Sequence, residues 1–365
     1  MRDKGFLTLL FLSWVGVVLA LTQWMPAHAQ DAGIPIATSG QQSAAPAIAI
    51  GPENVVHIAW EQEDGIWYRR WQLGHLTPLM HISAEGKNPT LAVDPYDDIA
   101  YLAWEQAFAG NYEIFTRKWD ALQGWSAPHN VSNNAGGSTS PTLVVSSMGM
   151  VHLLWSDTTP GSNTLYHAIS SNGESWPVAT PIDAARGSHP SAAIDAQGVL
   201  HVAWQYRASF ADNLRIWTSS KVDGVWLSPV ALTDGTSQAF SPQLRSRDDK
   251  MLLVWQEGTQ SILATMQDSG WQQARAQAGA APAVAISGQG AVEWAWQTAQ
   301  GLAREYHHAV QWPRINWSVP GARHVALAAQ DDCFGLVWIQ GQDANSQVFF
   351  TYDRPVTTYQ PIFYK

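Results

Sequence analysis

Cysteine is almost absent from this chain of 365 residues, which contains a single cysteine, Cys333. One thiol can form neither a disulfide within the chain nor a cysteine-based zinc cluster. Basic residues are also scarce, because 20 lysines and arginines accompany 30 acidic residues and leave a formal net charge of −10. Nucleic acid and anionic lipid both require a basic surface, so the composition argues against either partner. We expect Cys333 to be a small buried side chain.

Long apolar runs are missing except near the N-terminus, where residues 5–25 carry no charge. Arg2 and Lys4 precede this run, and a small-x-small triplet follows at residues 27–29. This pattern predicts a signal peptide over residues 1–29, and therefore a secreted or cell-surface protein without membrane insertion after cleavage. Because the run approaches the ~20 residues that span a bilayer, an uncleaved anchor is the alternative.

Tryptophan is abundant, and seven tryptophans recur in one local context. They are separated by about 41 to 51 residues, a period typical of repeat architectures. The seven are Trp60, Trp104, Trp155, Trp204, Trp255, Trp296 and Trp338. A proline stands about 14 residues before six of them, at Pro46, Pro89, Pro141, Pro190, Pro242 and Pro282, and His324 takes that place before the seventh.

Each repeat unit contains short alternating apolar segments separated by turn residues. In the unit that begins at His189, the segments SAAID, VLHVAW, LRIWTSS and VWLSPVAL are bounded by Gly, Asp or a polar loop. Four antiparallel strands repeated radially predict an all-β fold, a seven-bladed β-propeller. The last unit lacks a good fourth strand, and residues 34–40 resemble the fourth strands of other units. We therefore expect an N-terminal strand to complete the last blade and close the ring.

The propeller is predicted as one domain over residues 30–354, followed by a C-terminal tail at 355–365. The blades are predicted at residues 43–82, 83–131, 132–182, 183–232, 233–275, 276–318, and 319–354 plus 30–42.

The repeated tryptophans are best explained as core residues, because a large flat side chain fills the wedge between twisted sheets. His57, His152 and His201 each stand three residues before a tryptophan. Equivalent positions in different blades are a sheet spacing of ~10 Å apart, too far for one zinc, so we expect buried, hydrogen-bonded histidines. Asp97-Asp98 and Asp331-Asp332 could hold calcium, but ordinary solvated turns are preferred. We therefore expect no metal and no cofactor.

Polar residues cluster in the loops between second and third strands and in the connections between blades, which share one face of a propeller. Such residues at the mouth of a ring could bind a ligand, and they are also common in any solvated loop. The candidate ligand-binding residues are Glu61, Glu105, Asp157, Arg186, His189, Gln205, Arg207, Gln256 and Arg245.

Arg245 is the exception in an otherwise small-residue position. Three residues after the prolines, the units carry Ala49, Ala92, Val144, Ala193, Arg245 and Ala285, with Leu327 assigned to the last unit. Arginine on an innermost strand could meet an anion in the central channel. A salt bridge with a nearby acid is the preferred alternative.

These units resemble the sialidase-like propellers with BNR or Asp-box repeats. The segments PTLAVDPYDDIAYLAWEQ and PSAAIDAQGVLHVAWQY follow that superfamily's repeat pattern over essentially all of residues 43–354. Ser170, Asn172, Gly173 and Trp176 resemble a shortened Asp-box, which in the family is a structural turn away from the active site.

This chain also departs from the well-known sialidases in two respects. Well-known sialidases have six blades, which makes six the alternative count, and they use three arginines, a Tyr–Glu pair and an acid Asp. Here Gly33 precedes residues 34–36, where the family's Arg-Ile-Pro motif would place arginine, and no Tyr–Glu pair can be assigned.

The expected function is therefore non-catalytic binding of a glycan or an extracellular protein by a monomer. A glycoside hydrolase or lyase, with carboxylates such as Glu61 and Glu105 converging at the mouth, is one alternative. An extracellular protein-interaction scaffold is the other.

Overall fold

The computed structural model describes residues 33–37, 41–268, 270–307, 314–317, 319–342 and 345–353. These residues form seven antiparallel sheets, the blades of a β-propeller, and the seven-bladed prediction is confirmed. The predicted signal peptide and C-terminal tail lie outside the described residues. In the described part of the chain the only helical element is the 3-10 turn Pro52–Asn54.

In blades 1–6 the strands follow in chain order from the innermost outwards, and blade 7 differs only in its outermost strand, which comes from the N-terminal part of the chain. In blades 1, 2 and 4 the fourth strand is split into two short segments. Blade 1 contains Ser43–Ile50, Val56–Gln62, Gly65–Gln72, His75–Leu76 and Met80–Ser83. Blade 2 contains Gly86–Val93, Ala100–Phe108, Asn111–Asp120, Gly124–Trp125 and His129–Asn130. Blade 3 contains Ser138–Val145, Val151–Asp157, Thr164–Ser170 and Thr180–Arg186.

The remaining blades follow the same order. Blade 4 contains Ser188–Ile194, Leu200–Tyr206, Arg215–Val222, Val225–Trp226 and Val230–Ala231. Blade 5 contains Ala239–Arg247, Lys250–Glu257, Gln260–Gln267 and Gly270–Ala278. Blade 6 contains Ala280–Ile286, Val292–Thr298, Gly301–His307 and Arg314–Trp317. Blade 7 contains Arg323–Gln330, Cys333–Gln340, Gln347–Asp353 and the N-terminal Ile34–Pro35.

The ring closes through the N-terminal strand. Ile34 pairs with Phe350 and Pro35 with Phe349, so this strand is the outermost strand of blade 7, as predicted. The innermost strands of consecutive blades contact one another around the whole ring, including those of blades 1 and 7. The inner edge of each sheet therefore faces the ring axis, where the neighbouring blades protect it.

Three predicted blade boundaries fall inside strands. The boundary after residue 82 excludes only Ser83, the last residue of its strand. The fourth strand of blade 3 runs beyond residue 182, and that of blade 5 runs beyond residue 275. At both places the chain enters the next blade through one glycine, Gly187 or Gly279, with φ of +141° or +148°. A Cβ on either glycine would collide with the tryptophan of the next blade, which explains why glycine occupies these positions. Because the connection is a single residue, no loop marks the boundary in the sequence.

All seven repeated tryptophans lie in the core and are at most 4% exposed. They pack in hydrophobic clusters that combine side chains from neighbouring blades. Cys333 is also buried, as expected.

Candidate functional site

Every innermost strand contains a β-bulge where it begins, on the face formed by the loops between second and third strands. We call this the upper face. The register slips there in all seven blades. One residue of each bulge has a positive φ of 43–55°, and these bulge residues are Ala45, Asn88, Ser140, His189, Ser241, Ala281 and His324. In blades 1–6 a proline follows; in blade 7 it is Val325, not His324, that takes the proline position.

The bulges explain why polar residues follow the repeated tryptophans. A bulge removes a backbone N–H from the strand ladder, and that donor then needs another acceptor. The acceptor is a side chain of the preceding blade. Oε2 of Glu61 accepts from the N–H of Asn88 at 3.1 Å, and Oε2 of Glu105 accepts from Ser140 at 2.8 Å.

The same contact joins two further pairs of blades. Oε1 of Gln205 accepts from the N–H of Ser241 at 2.9 Å, and Oε1 of Gln256 accepts from Ala281 at 3.2 Å. We call these four contacts the interblade belt. Each such hydrogen bond contributes about 1 kcal/mol, and losing the acceptor would strand the bulge donor. Four of the predicted ligand-binding residues thus have a structural role at the mouth.

Glu61 and Glu105 both accept hydrogen bonds from Asn88, so the two carboxylates lie close together, as a converging pair requires. The side-chain amide of Asn88 donates to Oε1 of Glu105 at 2.7 Å, while its backbone N–H donates to Glu61. Glu105 is only 8% exposed, and both of its oxygens are hydrogen-bonded. The two carboxylates are thus held by protein donors.

Asp157 is fully buried and is surrounded by hydrogen-bond donors. It accepts from the indole of Trp155, the amide of Asn134, the hydroxyl of Ser138 and the N–H of Thr159, at 2.7–3.0 Å. Burial alone would raise the pKa of this carboxyl, but the hydrogen bonds outweigh it and lower the pKa. This hydrogen-bonded carboxylate joins the second strand of blade 3 to the connection before it.

Three other predicted residues also lie on the upper face, and two of them are exposed. His189 is exposed, with Nδ1 3.1 Å from Oγ of Ser188 and 3.2 Å from Nε2 of Gln205. Arg186 is exposed, and its backbone oxygen accepts from the indole of Trp204. Arg207 is half-buried.

The loops of blades 2, 3 and 4 form the most prominent feature of the upper face. The second and third strands of blade 2 extend to Phe108 and Asn111, and residues 158–163 and 207–214 connect those strands in blades 3 and 4. Elsewhere the connection is two residues, apart from the partly described one of blade 7. Three adjacent blades therefore form a raised wall beside the mouth.

This wall exposes aromatic rings. Phe108, Tyr112 and Phe210 are 50%, 38% and 92% exposed. Arg207 stacks on the ring of Phe210 at 4.8 Å, and Asp212 fixes the same loop by accepting two hydrogen bonds from Ser209. These aromatics were not among the predicted site residues, although residues 207–214 form the longest connection between a second and a third strand in the described part of the chain.

The histidines that precede the tryptophans belong to polar pairs within their own blades. His57 lies 2.6 Å from the hydroxyl of Tyr68, and His152 lies 3.1 Å from His167. Asp98, one of the residues considered for calcium, bonds to His57 and pairs with Arg70. In the described part of the chain, no three His, Cys, Asp or Glu side chains are grouped to hold a metal ion.

A cavity of about 910 Å³ follows the ring axis and is lined by the innermost strands. Arg245 lines this central channel, as the sequence suggested. The expected salt bridge is absent, since Arg245 forms no ion pair within the described ranges and its Nη1 donates to the backbone oxygen of Leu244 at 2.8 Å. By register, its counterpart in blade 7 is Ala328 and not Leu327, because the first hairpins of blades 5 and 7 are both one residue shorter than those of blades 1, 3, 4 and 6.

No helix among the described residues has the length and apolar character that a membrane crossing requires. No protein-family model matches the chain, and no curated protein does.

Solved structures do resemble it. An α-L-arabinofuranosidase of family GH93 from Fusarium graminearum, solved with arabinobiose, is 11% identical with a TM-score of 0.53 and covers 88% of this chain and 97% of its own. A protein of unknown function from Dyadobacter fermentans is 12% identical, with a TM-score of 0.55 and coverage of 88% and 98%. Trypanosoma rangeli sialidase, solved with the inhibitor DANA, is 11% identical, with a TM-score of 0.51 and coverage of 74% and 55%. The chain therefore has the fold of the sialidase-like propellers.

Proposed function

We propose that this protein is a secreted, non-catalytic glycan-binding propeller that holds its ligand on the upper face. The observation that carries the proposal is the wall of blades 2–4, where Phe108, Tyr112 and Phe210 are exposed beside a polar mouth. Exposed aromatic rings present a flat apolar face, and polar neighbours can bond to hydroxyl groups. Sugars combine an apolar ring face with peripheral hydroxyls and match such a surface.

The loop around Phe210 is well suited to this role. Its own hydrogen bonds between Ser209 and Asp212 fix the turn, so the ring is presented without a partner in the protein core. A preorganised aromatic loses little conformational entropy when it binds. Arg207 and His189 provide donors at the same face.

The hydrogen bonding of the carboxylates favours binding over cleavage. A glycosidase needs two carboxylates at ~5 to ~9 Å that are free to act as acid, base or nucleophile. Glu61 and Glu105 instead accept backbone N–H groups of the next blade. The arabinobiose and DANA complexes of the similar folds make glycans the first ligand class to test.

A glycan array probed with residues 30–365, with and without calcium, tests this proposal. We expect selective binding that Phe210→Ala weakens and that calcium leaves unchanged. Tyr96→Ala is the matched control, because Tyr96 is 69% exposed in a turn on the opposite face. If neither the wild type nor the Tyr96→Ala control binds any sugar on the array, glycan binding is refuted. Release of shortened sugars from the array would favour a hydrolase or lyase.

A further inference from the structure

The central channel contains one level at which a single charge replaces a ring of small side chains. Arg245 is opposite Leu252 in the register of blade 5. The corresponding residues of the other blades are Ala49, Ala92, Val144, Ala193, Ala285 and Ala328. Because these side chains are small, they leave open space around the guanidinium, and five of them line the same cavity.

The guanidinium of Arg245 is short of partners. It has five N–H donors, and in the described structure its one hydrogen bond goes to Leu244. Burial lowers its pKa through desolvation, and no acidic group contributes to that shift. Arginine nevertheless remains charged at physiological pH, so a desolvated cation faces the channel without a compensating anion.

Other groups along the channel complement this charge. Gln243, two residues earlier on the same strand, also lines the cavity, as do Thr90 of blade 2 and Thr142 of blade 3 on other sides of the ring. Arg247, two residues later, donates to Oε1 of Gln330 at 2.8 Å and forms no ion pair among the described residues.

The acidic residues that line the channel are both at its lower end. Asp195 accepts hydrogen bonds from its own turn and pairs with His201, whereas Asp248 lies in the exposed turn after Arg247. Neither carboxylate forms an ion pair with Arg245 or Arg247 among the described residues. Of the two arginines, Arg247 bonds to the side chain of Gln330, whereas Arg245 bonds only to a backbone oxygen.

We propose that the central channel binds a small oxyanion, a carboxylate or phosphate group, on Arg245 with Gln243 beside it. The planar fork of a guanidinium fits two oxygens of such a group. The cavity of about 910 Å³ is large enough for a metabolite-sized ligand. This site is separate from the upper-face aromatics and does not depend on the proposed glycan function.

The test compares inorganic phosphate and acetate with chloride at equal ionic strength, using melting temperature and calorimetric titration. We expect phosphate, acetate or both to raise the melting temperature of the wild type with saturation. Arg245→Ala, which copies the residue of most other blades, should weaken binding by about tenfold or more. Arg245→Lys should bind with intermediate affinity, because it keeps the charge and loses the fork.

Lys250→Ala is the matched control, because it removes the same charge from an exposed residue that bonds to the backbone of Gly290 outside the channel lining. It should bind like the wild type. Phosphate alone would identify a tetrahedral anion and acetate alone a carboxylate. The proposal is overturned if phosphate and acetate stabilise the wild type no more than chloride does. It is also overturned if they stabilise Arg245→Ala as much as the wild type while the near-ultraviolet dichroism spectrum of the variant is unchanged.

Discussion

Acidification should destabilise blade 3 through its pair of histidines. The rings of His152 and His167 are stacked, with centroids 5.3 Å apart and an interplanar angle of 8°. His167 is 3% exposed and also meets the ring of Trp226 edge-on. The perturbation is a change from pH 7 to pH 4, which would place positive charge on two adjacent buried rings.

The size of the effect follows from the pKa values. Burial, reinforced by Lys221, lowers the pKa of His152 from 6.5 to about 4 and that of His167 to about 3. Since the folded pKa values lie below the unfolded one, the unfolded chain takes up protons first as pH falls. The stability contributed by neutral rings is complete above about pH 6.5 and is lost towards pH 4.

At about 1.36 kcal/mol per pKa unit, His152 alone should cost about 3 kcal/mol at pH 4. His167 could double that figure, although the two protonations are coupled. Because whole domains are stable by about 5–15 kcal/mol, a loss of this size is easy to measure.

The assay is urea unfolding, followed by tryptophan fluorescence at several pH values, on the wild type and on the His152→Leu/His167→Leu double variant. Blade 5 has Leu252 and Leu263 at the corresponding positions, so the fold accommodates a leucine pair there. Between pH 7 and pH 4 the wild type should lose about 3–6 kcal/mol more than the double variant, which lacks both histidines. His129→Gln, at an exposed site, is the control; equal acid sensitivity of the wild type and the double variant would refute the reasoning.

Three further predictions concern stability. Gln205→Ala should cost about 1 kcal/mol because the exposed N–H of Ser241 exchanges its protein acceptor for water, whereas Gln205→Glu should cost less because it keeps an acceptor; urea midpoints distinguish them. Burial, opposed by an arginine, raises the pKa of Glu293 to about 6, so stability should fall by about 2 kcal/mol as pH rises from 4.5 to 6, and a persisting slope in Glu293→Gln would contradict this. Gly173→Ala should lower the melting temperature by several degrees, since φ is +72° and a Cβ there would strike Tyr101; an unchanged melting temperature would contradict the geometry.

The architecture could be predicted from the sequence because large, easily recognised residues recur in every repeat unit. A tryptophan in each second strand can be recognised without knowledge of its partners, and so can the spare strand before Ser43. The shortened Asp-box was also readable: Ser170 and Asn172 accept the N–H groups of the turn between the third and fourth strands of blade 3.

The belt could not be predicted from composition. Glu61 and Glu105 resemble solvated loop residues unless the bulge in the next blade is known. The bulges themselves are hidden, because residues before proline usually avoid a positive φ and no glycine marks these positions. A side chain that accepts from a backbone N–H of another repeat unit is a tertiary feature. Each such pair joins residues of consecutive blades, 25 to 36 positions apart in the sequence.

Arg245 illustrates what a repeat can and cannot reveal. Its deviation from the small residues of other units drew attention to the channel, and the structure places it there. The expected salt bridge was wrong because the neighbouring positions of the ring carry alanines and a valine, and acids occur only at the lower turns. Single-residue deviations from a repeat thus indicate where to look, whereas partners depend on the closed ring.

The most direct test of glycan binding on the upper face is a crystal structure of the protein with the sugar that the array selects. We expect a sugar ring stacked on Phe210 or Phe108, with its hydroxyl groups hydrogen-bonded to polar groups at the mouth of the channel. A sugar bound on the lower face or on an outer strand, with the wall of blades 2–4 unoccupied, would contradict it.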